Sequence, residues 1–217
     1  RQRTLGRYLD NRAETIRRTG RDLPMPEYRT HDGESVALFS NTLEELGERA
    51  DFMVIDTPGR DDRFARIAVT NADTLVTPMN DSFVDFDLIG HVDPDTYKVV
   101  RPSFYSELIW ESRTTRAKAD GAAIDWVVLR NRMQHIEARN MRRVSDAIDQ
   151  LSKRVGFRVI SGLSERVIYR ELFPKGLTML DSKEFGSMGL SHVAARQELR
   201  DLMAGLALPD KSAKQTD

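Results

Sequence analysis

Short, continuously apolar runs alternate along this chain with longer stretches of helical period. Asp51-Phe52-Met53-Val54-Ile55-Asp56 reads as a strand stopped by the Thr57-Pro58-Gly59 turn. Asp73 to Met79, Ile124 to Leu129 and Phe157 to Ile160 read as three more. Runs of this length without polar alternation suit strands buried on both faces. Ser35 to Ser40 is expected to form a further short strand, with Asn41 as N-cap of a helix through Arg49.

The segments between carry the other period. Arg1 to Arg18 places Leu5, Tyr8, Leu9 and Ile16 on one helical stripe, among arginines that predict a basic outer face. Gly20 to Glu34 reads as a loop. Arg60 to Asn71, Pro102 to Ala119 and Glu137 to Arg154 read as helices, as do Glu165 to Phe173 and His192 to Leu206. Pro174-Lys175-Gly176 breaks the penultimate one, and the tail from Pro209 is polar and expected to be disordered. Strands alternating with helices predict an α/β fold with a doubly wound, mostly parallel sheet flanked by helices, spanning residues 1–208 before a tail over 209–217.

Composition narrows the picture modestly. With 217 residues, 40% hydrophobic and 31% charged, the chain can bury one sizeable core. It has no cysteine, which excludes disulfides and thiolate-bound zinc and makes a reducing cytoplasm the default. No apolar run approaches the roughly 18–20 residues of a membrane span, so no membrane partner is expected. His31, His91, His135 and His192 lack metal-like spacing.

The candidate chemistry gathers at strand ends, where open α/β sheets bind ligands. Asp56 would close its strand there, placed to hold Mg²⁺ directly or through water beside a nucleotide phosphate. Thr57, Pro58 and Gly59 would make the tight turn that follows; an ordinary strand-ending turn explains the same residues. Asn131 and Arg132 follow the third strand, where a strand-to-helix loop with a capping Asn is the simple explanation. Asn80, Asp81 and Asp85 lie on the exit loop of the second strand.

A basic cluster comes later. Arg139, Arg142 and Arg143 share a helical face, and Lys153, Arg154, Arg158, Arg166 and Arg170 follow. In a chain of net charge −1 such a local excess fits phosphate binding, read without sequence preference. A solvated face balanced by Glu137, Asp146 and Asp149 is the competing explanation.

Three strand ends, Asp56-Thr57-Pro58-Gly59, Pro78-Met79-Asn80-Asp81 and Arg130-Asn131-Arg132, together resemble the nucleotide site of the ParA/MinD group of P-loop ATPases. The runs DTPG, VTPMNDSFVDFD, DWVVLRNR, SKRVGFR and ERVIYRELFPKGLT resemble one branch of it more narrowly, the MipZ family of division-site-positioning ATPases. The likeness runs from Arg1 to about Leu206. It implies ATP and Mg²⁺ as cofactors, adenine recognition by the Asn131 amide and a stacked Arg132 guanidinium, and switch contacts from Asn80, Asp81 and Asp85. It also implies an ATP-bound homodimer, nonspecific binding of chromosomal DNA by that dimer, capture of the monomer by ParB, and inhibition of FtsZ assembly. It implies a cytoplasmic protein associated with the nucleoid and concentrated near the poles.

One departure qualifies this. The chain has no GKS or GKT run, and Arg1-Gln2-Arg3 matches a run that in the family directly follows a carboxylate motif. The resemblance therefore implies that the phosphate loop and the catalytic residues lie upstream of Arg1, and that the chain alone is an inactive part of an ATPase. Two other readings stay open: a ParA-type DNA-partition ATPase, and a nucleotide-independent DNA-binding module.

Overall fold

The computed structural model describes residues 3–59, 61–80, 85, 87–93, 99–133, 138–181 and 190–209. The chain divides into two compact units, residues 1–56 with 166–199 and residues 57–165 with 200–217.

In the second unit, helix α3 (Arg63–Asn71) leads into strand β1 (Thr74–Asn80). A hairpin of β2 (Gly90–Val92) and β3 (Val99–Pro102) precedes helix α4 (Phe104–Asp120). Then come β4 (Asp125–Met133), helix α5 (Ala138–Val155) and β5 (Arg158–Ser164). The sheet has the order β1-β4-β5, and both pairings are parallel. This is the α/β, mostly parallel architecture the periodicity predicts.

Strand β4 is the middle of that sheet, and its residues Trp126, Val127 and Val128 are buried. Alternation sends Trp126 and Val128 to one face and Val127 and Leu129 to the other. The first face packs on Met79, Leu108, Ile109, Ile148, Leu151 and Phe157. The second packs on Ile160, Leu202 and Leu206. Burying Trp126 requires a partner for its indole N–H, which donates to Thr77 Oγ1 at 3.0 Å. That hydroxyl also bonds the Tyr105 hydroxyl at 2.9 Å. Burial raises the Tyr105 phenol above its ordinary pKa, and the Thr77 bond pulls the other way.

The first unit contains helix α1 (Thr4–Thr19), helix α2 (Val36–Gly47), helix α6 (Val167–Leu172) and a single 3₁₀ turn, Phe173–Lys175. The terminal helix α7 (Leu190–Leu206) supplies Ala195 and Leu199 to this unit's core, with Leu172, Leu177 and Met179. Arg12 departs from the expected basic outer face of α1. It lies three residues after Leu9, on the buried stripe, and is 5% exposed. Its guanidinium forks onto the Asp181 carboxylate with two bonds of 2.9 Å. It also donates to the carbonyls of Pro24 at 2.8 Å and Gly176 at 2.9 Å. Gly176 sits at φ 60°, and a Cβ there would overlap the Arg12 backbone, so only glycine fits the turn.

Two expected strands are absent. Residues 36–40 belong to α2, which Ser35 caps by accepting from the Leu38 N–H at 3.2 Å. Asn41 therefore lies inside the helix instead of capping it. Phe39, Leu43 and Leu46 form one helical stripe, and that longer period overrides the short apolar run. Residues 52–58 take no regular structure, and Val54 is 84% exposed. A strand needs a hydrogen-bonded neighbour, and no described strand pairs with this segment.

Two outcomes test these cores. Thr77→Val removes the acceptor of the Trp126 N–H and should lower unfolding free energy by about 1–3 kcal/mol, whereas Thr77→Ser should retain most of it in urea titrations. Burial pushes the Asp181 carboxyl up, but the bonds from Arg12 and Thr178 outweigh it and hold its pKa below the ordinary 3.8. Its contribution is thus complete above 3.8 and is lost as pH falls through the lower folded value. Asp181→Asn should cost about 3–5 kcal/mol at neutral pH, with the gap to wild type closing in strong acid.

Candidate functional site

The carboxyl ends of β1 and β4 meet. Register pairs Met79 with Arg130 and Asn80 with Asn131, so the two asparagines stand side by side at the last residue of β1. Asn131 and Arg132, expected to follow their strand, lie inside β4, which stays paired with β5 through Met133. Asn80 is exposed, Asn131 half-buried and Arg132 exposed. The Asn80 N–H donates to Asp85 Oδ2 at 2.9 Å, closing the exit loop back onto the strand end. Asp81, the third residue expected in this loop, lies outside the described residues.

Beyond Leu129 the β4–β5 ladder becomes irregular. Leu129 pairs with Ile160, Asn131 with Leu163 and Met133 with Ser164, with register shifts on either side of Asn131. Gly162 lies against the backbone of Arg130, whose carbonyl a Cβ would overlap. Arg132 adopts φ 52°, a left-handed conformation that costs a non-glycine residue about 1–3 kcal/mol. Gly162 is a functional position that the hydrophobic pattern does not mark, although an isolated glycine inside a strand is itself a signal for a bulge.

Asp56, Thr57, Pro58 and Gly59 are exposed, without the strand expected to present them. Asp56 closes the first unit and Thr57 opens the second. The chemistry of Asp56 suits Mg²⁺, because a single accessible carboxylate is enough where phosphates and waters complete the shell. Among the described residues, no cluster of three or more His, Asp or Glu side chains could hold a metal by itself.

The basic residues divide between the units. Arg139, Arg142 and Arg143 lie on α5, with Lys153 and Arg154 in its last turn, where cations complement the helix dipole. The side chains of Arg139, Arg142 and Arg143 are outside the described residues. Arg154 donates to the Val100 carbonyl at 3.0 Å. Arg158 grips Asp125 through bonds of 2.7–2.9 Å and reaches the Gly205 and Leu206 carbonyls, capping the end of α7. In the first unit Arg166 pairs with Glu198 at 2.6 Å, and Arg170 is exposed. Among the described residues no helix is long and apolar enough to cross a membrane.

The family model described as ATPase MipZ matches residues 1–210. No curated protein matches the chain.

The loop closure makes a local prediction. Asp85→Ala should leave global stability within about 1 kcal/mol, since the bond is exposed, while amide exchange at Asn80 accelerates. An unchanged exchange rate would show that the loop is held by something else.

Proposed function

The chain belongs to the ATPase MipZ family, and from that premise we propose that the protein is an ATP-dependent monomer–dimer switch that positions the cell-division site. The observation that carries this reading is the family match over residues 1–210. The parallel sheet supports it, since its strand ends set Asn80 beside Asn131 where nucleotides bind in folds of this class.

In this proposal Asp56 supplies a carboxylate to Mg²⁺, which neutralises phosphate charge when bound. The Thr57-Pro58-Gly59 turn follows the state of the terminal phosphate. Asn131 offers its amide to the adenine edge, and Arg132 stacks on the ring. Asn80, Asp81 and Asp85 transmit the change to a second copy of the chain. ATP shifts the equilibrium only by binding the dimer more tightly than the monomer, and a change from 1:99 to 99:1 needs about 5.5 kcal/mol of such preference.

The dimer then binds chromosomal DNA through phosphates and opposes FtsZ assembly, while the monomer is captured by ParB. Arg158 and Arg166 already hold carboxylates, and in this proposal most of the DNA contact falls to Arg139, Arg142, Arg143 and Lys153 of the second unit.

Sedimentation of the intact gene product tests the switch. ATP with Mg²⁺ should convert monomer to dimer and reduce the FtsZ recovered in pellets, and Asp56→Ala should abolish the ATP dependence. A sedimentation coefficient indifferent to ATP would sink the switch. Dimerisation without any effect on FtsZ would instead favour DNA partition. For the DNA surface, replacing Arg139 and Arg143 together with alanine should flatten the slope of log affinity against log salt by about 2. An unchanged slope would move the contact elsewhere.

A further inference from the structure

The irregularity around Asn131 is organised. Between the pairs Leu129–Ile160 and Asn131–Leu163, β5 advances by one residue more than β4. Between Asn131–Leu163 and Met133–Ser164, β4 advances by one more than β5. The second insertion restores the register that the first disturbs. On its other side β4 stays in unbroken register with β1 as far as Asn80–Asn131. Asn131 is therefore anchored to β1 and offset by one residue from β5, at that position alone.

Each insertion has an identifiable device. The first needs Gly162, because any Cβ there would collide with the Arg130 carbonyl, which is backbone and cannot swing aside. The second places Arg132 at φ 52°, the left-handed step by which a bulge takes in its extra residue. Side chains alternate faces with a period of two, so one residue of offset changes which way the strand presents its groups. Bulges beside sites commonly re-aim a side chain in this manner.

We infer that Gly162 and the left-handed Arg132 are a paired positioning device that sets the Asn131 amide for the adenine edge, and so governs base specificity. The inference rests on the nucleotide reading above. Gly162 touches no nucleotide in it and acts through the Arg130–Arg132 backbone.

The test is titration calorimetry of the intact gene product with ATP, GTP and inorganic tripolyphosphate. Wild type should prefer ATP to GTP. Gly162→Ala should bring that ratio close to one and weaken ATP binding about tenfold, the scale of one lost hydrogen bond, with tripolyphosphate affinity unchanged. A parallel loss for all three ligands would mean a purely structural role and overturn the inference, as would an unchanged ratio in a folded variant. Should Gly162→Ala not fold, Arg132→Asn and Arg132→Val decide. Both lose the guanidinium, but asparagine tolerates a left-handed backbone and a β-branched valine does not. Arg132→Asn should then weaken ATP and GTP alike and keep their ratio, whereas Arg132→Val should bring the ratio towards one; equal ratios in the two variants overturn the inference. Wild type that binds ATP and GTP equally would overturn it alone, whereas wild type that binds neither would overturn the nucleotide reading as well.

Discussion

A parallel strand with neighbours on both sides has to bury both of its faces, and the second unit is arranged around meeting that requirement at β4. Trp126 and Val128 need one apolar layer, Val127 and Leu129 another. Helices α4 and α5 provide the first, and the end of α7 provides part of the second. The Trp126 N–H, carried inside, is satisfied by Thr77 on the neighbouring strand. Once β4 is placed in this way, its pairing with β1 sets Asn131 beside Asn80 without further adjustment.

The first unit answers a different constraint. A buried guanidinium is tolerable only when its donors are matched, and Arg12 finds Asp181, Pro24 and Gly176 for its fork. Those partners come from two separate segments, so a single side chain brings together α1, the loop after it and the turn after α6. Gly176 is part of the same solution, since its bare Cα lets the turn approach the helix backbone.

At the strand ends, stability gives way to presentation. A continuous ladder would keep β4 and β5 regular through Met133; instead the register is disturbed and then restored around Asn131, at the expense of a left-handed arginine. Local rules that are broken in so short a stretch mark positions where the backbone is shaped for something other than its own stability. Arg158 behaves in the opposite way. It reads as a free cation by charge count, yet it holds Asp125 and the last carbonyls of α7 together.

The sequence by itself determined the strands β1, β4 and β5, the helices between them and the parallel arrangement, because hydrophobic period and length record whether one face or two must be buried. The family was legible as well, since several long runs keep their order. Tertiary structure alone decided the rest. Asp51 to Asp56 has strand composition, but pairing is a property of neighbours, and no described strand adjoins it. Ser35 to Ser40 joined a helix because Phe39, Leu43 and Leu46 together outweigh a six-residue run. Arg12 and Arg158 look like surface cations until distant carboxylates and carbonyls are brought to them. The offset at Asn131 depends on how Gly162 meets Arg130 across the sheet, a contact between residues far apart in the chain; a glycine in a strand can signal a bulge but not which backbone it meets.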